Sequence, residues 1–253
     1  LVPEQRSWLS LTLQRAQQAP PMDWLRFWGD GVFLGHLSPE RAEQLVLGLP
    51  GCQITKAGVL WQTPTQTHLQ RGQQLQAFLK QEGTHGRLTG WRHEFFSFWP
   101  EPFGPLNSVI PPWFCVERAG FRHLGMKSHA VHIHGFCPNG DLWCGRRANN
   151  KATDPGLLDN IAAGGLTAGE SPLTTALREL AEEASLYLPD PSRLRSCGAI
   201  RTQRLEPQGW HDEQLLVYAL HLSDQEIPTN ADGEVQEFLL LSPCEVVSRM
   251  QSG

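Results

Sequence analysis

The segment EPFGPLNSVIPPW, residues 101–113, carries four of the chain's 19 prolines. Proline fixes φ and removes a backbone donor, so neither a helix nor a central strand can run across this stretch. The 253-residue chain is therefore expected to build two packed units, one at 1–112 and one at 113–253. An apolar content of 40% is enough for a sizeable core.

The first unit reads as small α+β. LSPERAEQLVLGLPG is a helix signal, with Ser38 as its cap, Pro39 in its first position and Gly48 near its end. TPTQTHLQRGQQLQAFLKQEG gives a second helix, with Leu69, Leu75, Phe78 and Leu79 as a loose apolar stripe. GVFLGHL and KAGVLWQ are strand-like, and the aromatic run WRHEFFSFW precedes the proline segment. In the second unit, HAVHIHGFC and DLWCGRRA are strands joined through PNGD, a hairpin signal. RSCGAIRTQRL, EQLLVYALHL and EVQEFLLL are further strands, and SPCEVVSRMQSG begins a final helix. Strands on both sides of the acidic helix PLTTALRELAEEA make this unit α/β, with a site in the loops around the helix.

The totals argue against several classes of function. A net charge of -5 and a pI near 6.1 give no overall basic field, so nucleic acid is not an expected partner. No apolar run reaches the roughly 20 residues that span a bilayer, and LLVYALHL is broken by His221, so a membrane is not expected either. Six scattered cysteines without a CxxC pair point to buried free thiols in a reducing cytoplasm. The chain begins at Leu1, which leaves open a preceding segment such as a targeting peptide. Monomer and homodimer are equally open.

Ser171 caps the acidic helix and Pro172 opens it. At about 100° per residue, Leu173, Ala176, Leu177, Leu180 and Ala184 share one arc, expected to face the core. Glu179, Glu182 and Glu183 form an i, i+3, i+4 set on the other side, with Arg178 at its edge. Like charges so spaced repel by a few tenths of a kcal/mol per pair, and a purely structural helix usually intersperses lysine. An isolated EE pair is ordinarily a solvated face. Here the pair closes a longer string: Gly164, five residues, Glu170, seven residues, Arg178-Glu179-Leu180, any residue, Glu182-Glu183. Seven fixed positions recur by chance less than about once in a million windows.

This string, Gly164 to Leu186, resembles the signature of the Nudix hydrolases, metal-dependent enzymes that cleave a diphosphate linked to another moiety. It departs at Ser185, where the family pattern has glycine. A positive φ is easiest without a side chain, so serine should cost about 1 kcal/mol there. The resemblance implies an α/β/α sandwich around a mixed sheet, preceded by the small α+β unit. It also implies Mg²⁺, for which Mn²⁺ can substitute, held by Glu179, Glu182, Glu183 and the carbonyl of Gly164. Such a hard cation prefers oxygen donors and offsets the charge that repels attacking water. Glu170 and Arg178 are then structural, bracing loop against helix. The catalytic candidates are Glu179, Glu182 and Glu183, with Glu234 of NADGEVQEF as general base and Glu213 as a second candidate for that role.

A closer resemblance runs from about Trp91 through NADGEV. WRHEFF before ERAGF, and then the RR, Lys151, PGLLDN and GG of LWCGRRANNKATDPGLLDNIAAGG, are similar to a Nudix subfamily with an extra N-terminal domain, related to thiamine pyrophosphokinase-associated proteins. It implies a small-molecule diphosphate as partner, thiamine diphosphate or its oxidised analogues, cleaved to the monophosphate. Arg146, Arg147 and Lys151 would pair with the phosphates, and Trp91, Arg92 and His132 would line the pocket. Adjacent strand residues face opposite sides, so one of the two arginines should point away. His129, His132 and His134 are read as strand histidines near the pocket rather than zinc ligands. Of Trp91, Phe95, Phe96, Phe98 and Trp99, most are expected in the core. Two other readings stand beside this one: hydrolysis of ADP-ribose or another nucleoside diphosphate, and a ligand-binding protein that keeps the fold without turnover. Retention of every signature glutamate weighs against the last.

Overall fold

The computed structural model describes residues 2–63, 66–106, 110–150, 154–230 and 233–252, so Lys151 lies outside the described residues. Strands β1 (Leu25–Gly29), β2 (Val32–Leu37), β3 (Cys52–Thr55) and β4 (Gly58–Trp61) form a sheet in the order β2-β1-β4-β3. Helix α1 (Pro3–Arg15) precedes them and buries no residue, which is why no apolar periodicity announced it. Helix α2 (Pro39–Gly48) starts as its sequence dictates, with Ser38 Oγ accepting from the Arg41 amide at 3.3 Å.

Helix α3 (His68–Thr84) buries Gly72, Leu75, Phe78 and Leu79, whereas Leu69 is 62% exposed. The expected stripe is corrected there. Leu69 stands about 120° from the centre of the buried arc, and Gly72 takes the contact position. A methyl group on Gly72 would lie 2.9 Å from the carbonyl of Cys115, in β6 (Phe114–Glu117), which pairs antiparallel with β5 (Phe95–Phe98). The apolar cluster of this unit joins Phe27, Trp61 and Phe114, and runs past the proline segment to Phe121 of α4 (Ala119–His123), Leu124 and Met126.

The second unit holds β7 (Lys127–Phe136), β8 (Leu142–Arg147), β9 (Leu158–Asp159), β10 (Ala162–Gly165), β11 (Leu194–Glu206), β12 (Gly209–His221) and β13 (Val235–Leu241). Its sheet runs β11-β12-β7-β8-β13, with β10 added to β7 and β9 to β8. Only β12 and β7 are parallel, so the sheet is mixed. The PNGD turn closes as a hairpin, the Cys137 amide donating to the Asp141 carbonyl at 2.8 Å. Helix α5 (Pro172–Ala184) packs on the face that presents Val131 and Ile133. Helix α6 (Pro243–Ser252) lies by Arg146 on the alternate face, completing an α/β/α sandwich.

The two units are joined through the β11–β12 hairpin. Its tip inserts Trp210, fully buried, between Trp24 and His36 of the first unit, with ring centroids 6.2 and 6.1 Å away. Arg122 adds an ion pair to Glu206 at 2.7 Å and a hydrogen bond to His211 Nδ1 at 2.9 Å. All six cysteines are unbridged. Only Cys144 is buried, while Cys197 and Cys244 are exposed, so the expectation of buried thiols holds at one position. Among the described residues no helix is long and apolar enough to cross a membrane.

Candidate active site

Helix α5 begins with Ser171 Oγ accepting from the Thr174 amide at 3.1 Å and ends with Ser185 in the left-handed region, φ 54°. The amide of Leu186 returns to the Leu180 carbonyl at 3.0 Å, closing the helix end. The buried face comprises Pro172, Thr175, Ala176, Glu179, Leu180 and Ala184, while Leu173 is exposed and Leu177 only partly covered. Relative to the expected arc this face is turned by roughly 70°. Glu179 is therefore not on the wet side but 8% exposed. The cause is Gly164: a methyl group there would sit 1.9 Å from Glu179 Oε1, so the missing side chain on β10 is what admits the carboxylate.

Arg178 ties the acids together. Its Nε and Nη2 donate to the two oxygens of Glu170 at 3.0 and 3.1 Å, and Nη1 lies 2.8 Å from Glu179 Oε1 and 2.8 Å from Glu182 Oε2. Thr175 Oγ1 donates to Glu170 at 2.8 Å. Burial disfavours the Arg178 charge, but these carboxylates outweigh it and raise its pKa. Glu183 Oε2 accepts from the Ala163 amide of β10 at 3.0 Å. Burial pushes the Glu179 carboxyl up to about 7 against the pull of Arg178, and the charges of Glu182 and Glu94 add to the rise.

One buried, one half-buried and one exposed carboxylate thus gather around Ala163 and Gly164, with a guanidinium between two of them. The donors are all hard oxygens, and Arg178 stands where a cation is wanted. This set suits a hard divalent ion better than zinc or copper. Among the described residues no three acids, histidines or cysteines already enclose one point. Arg178 has to give up Glu179 and Glu182, keeping its two bonds to Glu170, before those oxygens can.

A cleft of about 210 Å³ opens between the units. Arg92, Phe96, Arg118, Ser128 and Glu213 line it. Phe96 closes on β10 from the face opposite Glu179, since a methyl group on Gly165 would lie 2.3 Å from its ring. Glu94 links cleft to helix: its oxygens accept from Thr167 Oγ1 at 2.9 Å and from Arg118 at 2.5 Å, and its charge is felt at Glu179. Glu94, Phe96 and Arg118 carried no signal of this role in the sequence, because Glu94 and Thr167 stand 73 positions apart and no spacing rule connects them.

The remaining candidates separate. Trp91 packs on the cluster of the first unit, its Nε1 donating to His93 Nδ1 at 3.4 Å, while Arg92 reaches the cleft. Arg147 pairs with Asp159 at 2.6 Å. His132 lies against Asn160, in the field of Asp159 and Glu213, and burial holds its pKa down. His129 faces the other way, edge-on to Trp99, and burial lowers it to about 3. Arg146 pairs with Glu237 at 2.7 Å on the α6 side, away from the acids of α5. Glu234 is exposed where the chain enters β13, its carbonyl accepting from the Ala148 amide at 2.9 Å. Glu213 accepts from Ser128 Oγ at 2.9 Å inside the cleft.

Residues 127–252 match the family model described as NUDIX domain. The chain thus carries a Nudix domain, preceded by the α+β unit. It is 31% identical over 169 residues to Nudix hydrolase 24, chloroplastic, of Arabidopsis thaliana, covering 66% of this chain and 45% of that protein. For Nudix hydrolase 20, chloroplastic, of the same plant the identity is 32%, over 66% of this chain and 44% of that protein. The chain spans less than half the length of these two relatives. The crystal structure of DR0079 from Deinococcus radiodurans aligns with a TM-score of 0.47 at 20% identity, over 63% of this chain and 90% of that one.

Proposed function

We propose that the protein is a magnesium-dependent diphosphohydrolase acting on thiamine diphosphate or an oxidised analogue. The observation that carries the catalytic part is Glu179, a carboxylate packed against Gly164 with Glu182 and Glu183 beside it. Burying a charge is costly unless something pairs with it, and a helix made only to fold would place alanine there. Glu179, Glu182, Glu183 and the Gly164 carbonyl would hold the metal, which when bound draws charge off the diphosphate and acidifies water. Arg178, anchored on Glu170, sets the side-chain directions of the helix. Glu234 takes the proton of the attacking water; the water oxygen joins the terminal phosphorus as the bridging P–O bond breaks, giving the monophosphate and phosphate. The substrate part rests on the run from Trp91 to Glu234 and on the unit that precedes the Nudix domain.

The test is a panel of thiamine diphosphate, oxothiamine diphosphate and ADP-ribose, with Mg²⁺ and with chelator. Thiamine monophosphate and phosphate are expected, only with metal. AMP from ADP-ribose alone would move the substrate to nucleotides, and no product from any would end the catalytic reading. Glu182→Gln is expected to lower kcat about 100-fold or more. Its melting temperature should stay close to that of the parent, since Glu182 is half-exposed and its single ion pair to Arg178 contributes at most about 0.5 kcal/mol.

A further inference from the structure

The cleft between the units holds two opposite charges that do not meet each other. The guanidinium of Arg92 has no carboxylate partner among the described residues; only its backbone amide is engaged, by Glu117 Oε1 at 2.9 Å. Glu117 is fully buried, so it pins the loop that carries Arg92. The Glu213 carboxylate, also in the lining, accepts a hydrogen bond from Ser128 Oγ and has His211 Nε2 at 3.8 Å. That imidazole is neutral: burial and the nearby Arg204 and Arg122 hold it to about 3, and its Nδ1 accepts from Arg122. The other charges of the region are already paired, Arg118 with Glu94, Arg122 with Glu206, and Arg201 with Asp212. Phe96 and Phe121, 5% and 2% exposed and edge-to-face with each other, add an apolar surface to the lining.

The lining thus offers a half-buried carboxylate with no cationic partner and an exposed guanidinium with no anionic one among the described residues, a pair that fits a ligand charged at both ends. The cleft, about 210 Å³, is smaller than the roughly 300–1,000 Å³ of pockets that take a drug-sized molecule whole. It suits one substituted ring. We propose that this cleft binds the non-phosphate end of the substrate, a single flat ring bearing a positive charge or an amino donor that Glu213 accepts, while Arg92 and Arg118 take the phosphate end. Arg118 pairs with Glu94, which accepts from Thr167 on the loop between β10 and α5, so the phosphate end lies where the cleft meets the loop that leads into α5. This rests on the diphosphohydrolase reading and gives the first unit its part in it: selectivity comes from the cleft, cleavage from the helix. Glu213 is on this view a recognition group rather than the base.

The experiment compares kcat/KM for thiamine diphosphate, whose end beyond the thiazolium is an aminopyrimidine ring, with kcat/KM for methyl diphosphate, which has no ring. In Glu213→Gln, which is isosteric and keeps the Ser128 hydrogen bond, the preference for the thiamine ester should fall about 10- to 100-fold. An unchanged preference, with both rates lowered together, would place Glu213 in the chemistry and overturn the assignment. Arg92→Ala should lower both substrates and leave the preference within a few-fold; a loss confined to the thiamine ester would reverse the proposed polarity. A second readout needs no turnover: calorimetric binding of thiamine in chelator, expected for the parent and weakened about 10-fold or more in Glu213→Gln. Equal binding by parent and variant would also overturn it. A parent that binds thiamine but cleaves neither diphosphate would remove the hydrolase reading and leave the cleft assignment standing.

Discussion

Ser185 holds a left-handed conformation, φ 54°, ψ 28°, that glycine adopts at little cost. Replacing it should relieve strain without touching the acids. Ser185→Gly is expected to add about 1 kcal/mol of stability, seen as a melting temperature about 2–4 °C higher. Gly164 presents the reverse case. Its Cβ would land 1.9 Å from Glu179 Oε1, so Gly164→Ala must push the carboxylate away or spread β10 from α5. A cost of about 1–3 kcal/mol is expected by urea titration, with a fall in turnover of about 100-fold if the helix acids shift by an ångström. The residues of the signature were legible because their spacing is rigid. The burial of Glu179 was not, because an apolar-arc argument counts only apolar side chains and cannot see a glycine on another strand making room for an acid.

At the scale of elements, α2 and the β7–β8 hairpin were legible from Ser38-Pro39 and from PNGD, signals that act within a few residues. Helix α1 and strand β10 were not: the first buries nothing, and the second, Ala162–Gly165, is too short and too poor in side chains to show alternation. The apolar arc of α5 points about 70° away from its buried face for the same reason that Glu179 is buried. The β11–β12 hairpin was legible as two strands, but its tip gave no hint that Trp210 enters the other unit. Trp210→Ala should cost about 3–5 kcal/mol. It should also loosen the first unit, measured as faster amide exchange around Trp24 and His36.

For the whole molecule, His123, His129 and His211 are held to about 4, 3 and 3, each chiefly by burial. Their ordinary value is 6.5, so below it the unfolded chain takes up protons that the folded chain refuses. Stability from this source is complete above pH 6.5 and is lost as pH falls towards 4 and then 3. Urea midpoints should drop from about pH 6.5 downwards, with the Glu179 carboxyl, raised to about 7, opposing the three histidines by one proton; a midpoint unchanged at pH 5 would show the histidines protonated in the fold. The cleft is a property of this scale as well. Arg92 and Glu213 belong to units read separately in the sequence, and the packing of the two units brings them into one lining.

That hairpin has a consequence for anyone who shortens the chain. The NUDIX match begins at residue 127, an inviting place to cut. A fragment starting there would keep every helix acid yet leave the indole of Trp210 without its socket, and the Arg92 guanidinium of the cleft would be gone. It should precipitate more readily and, where it survives, hydrolyse diphosphates without choosing among them. If the proposed function holds, exchanging the leading 126 residues for those of a relative changes which diphosphate is chosen and leaves the cleavage chemistry in place.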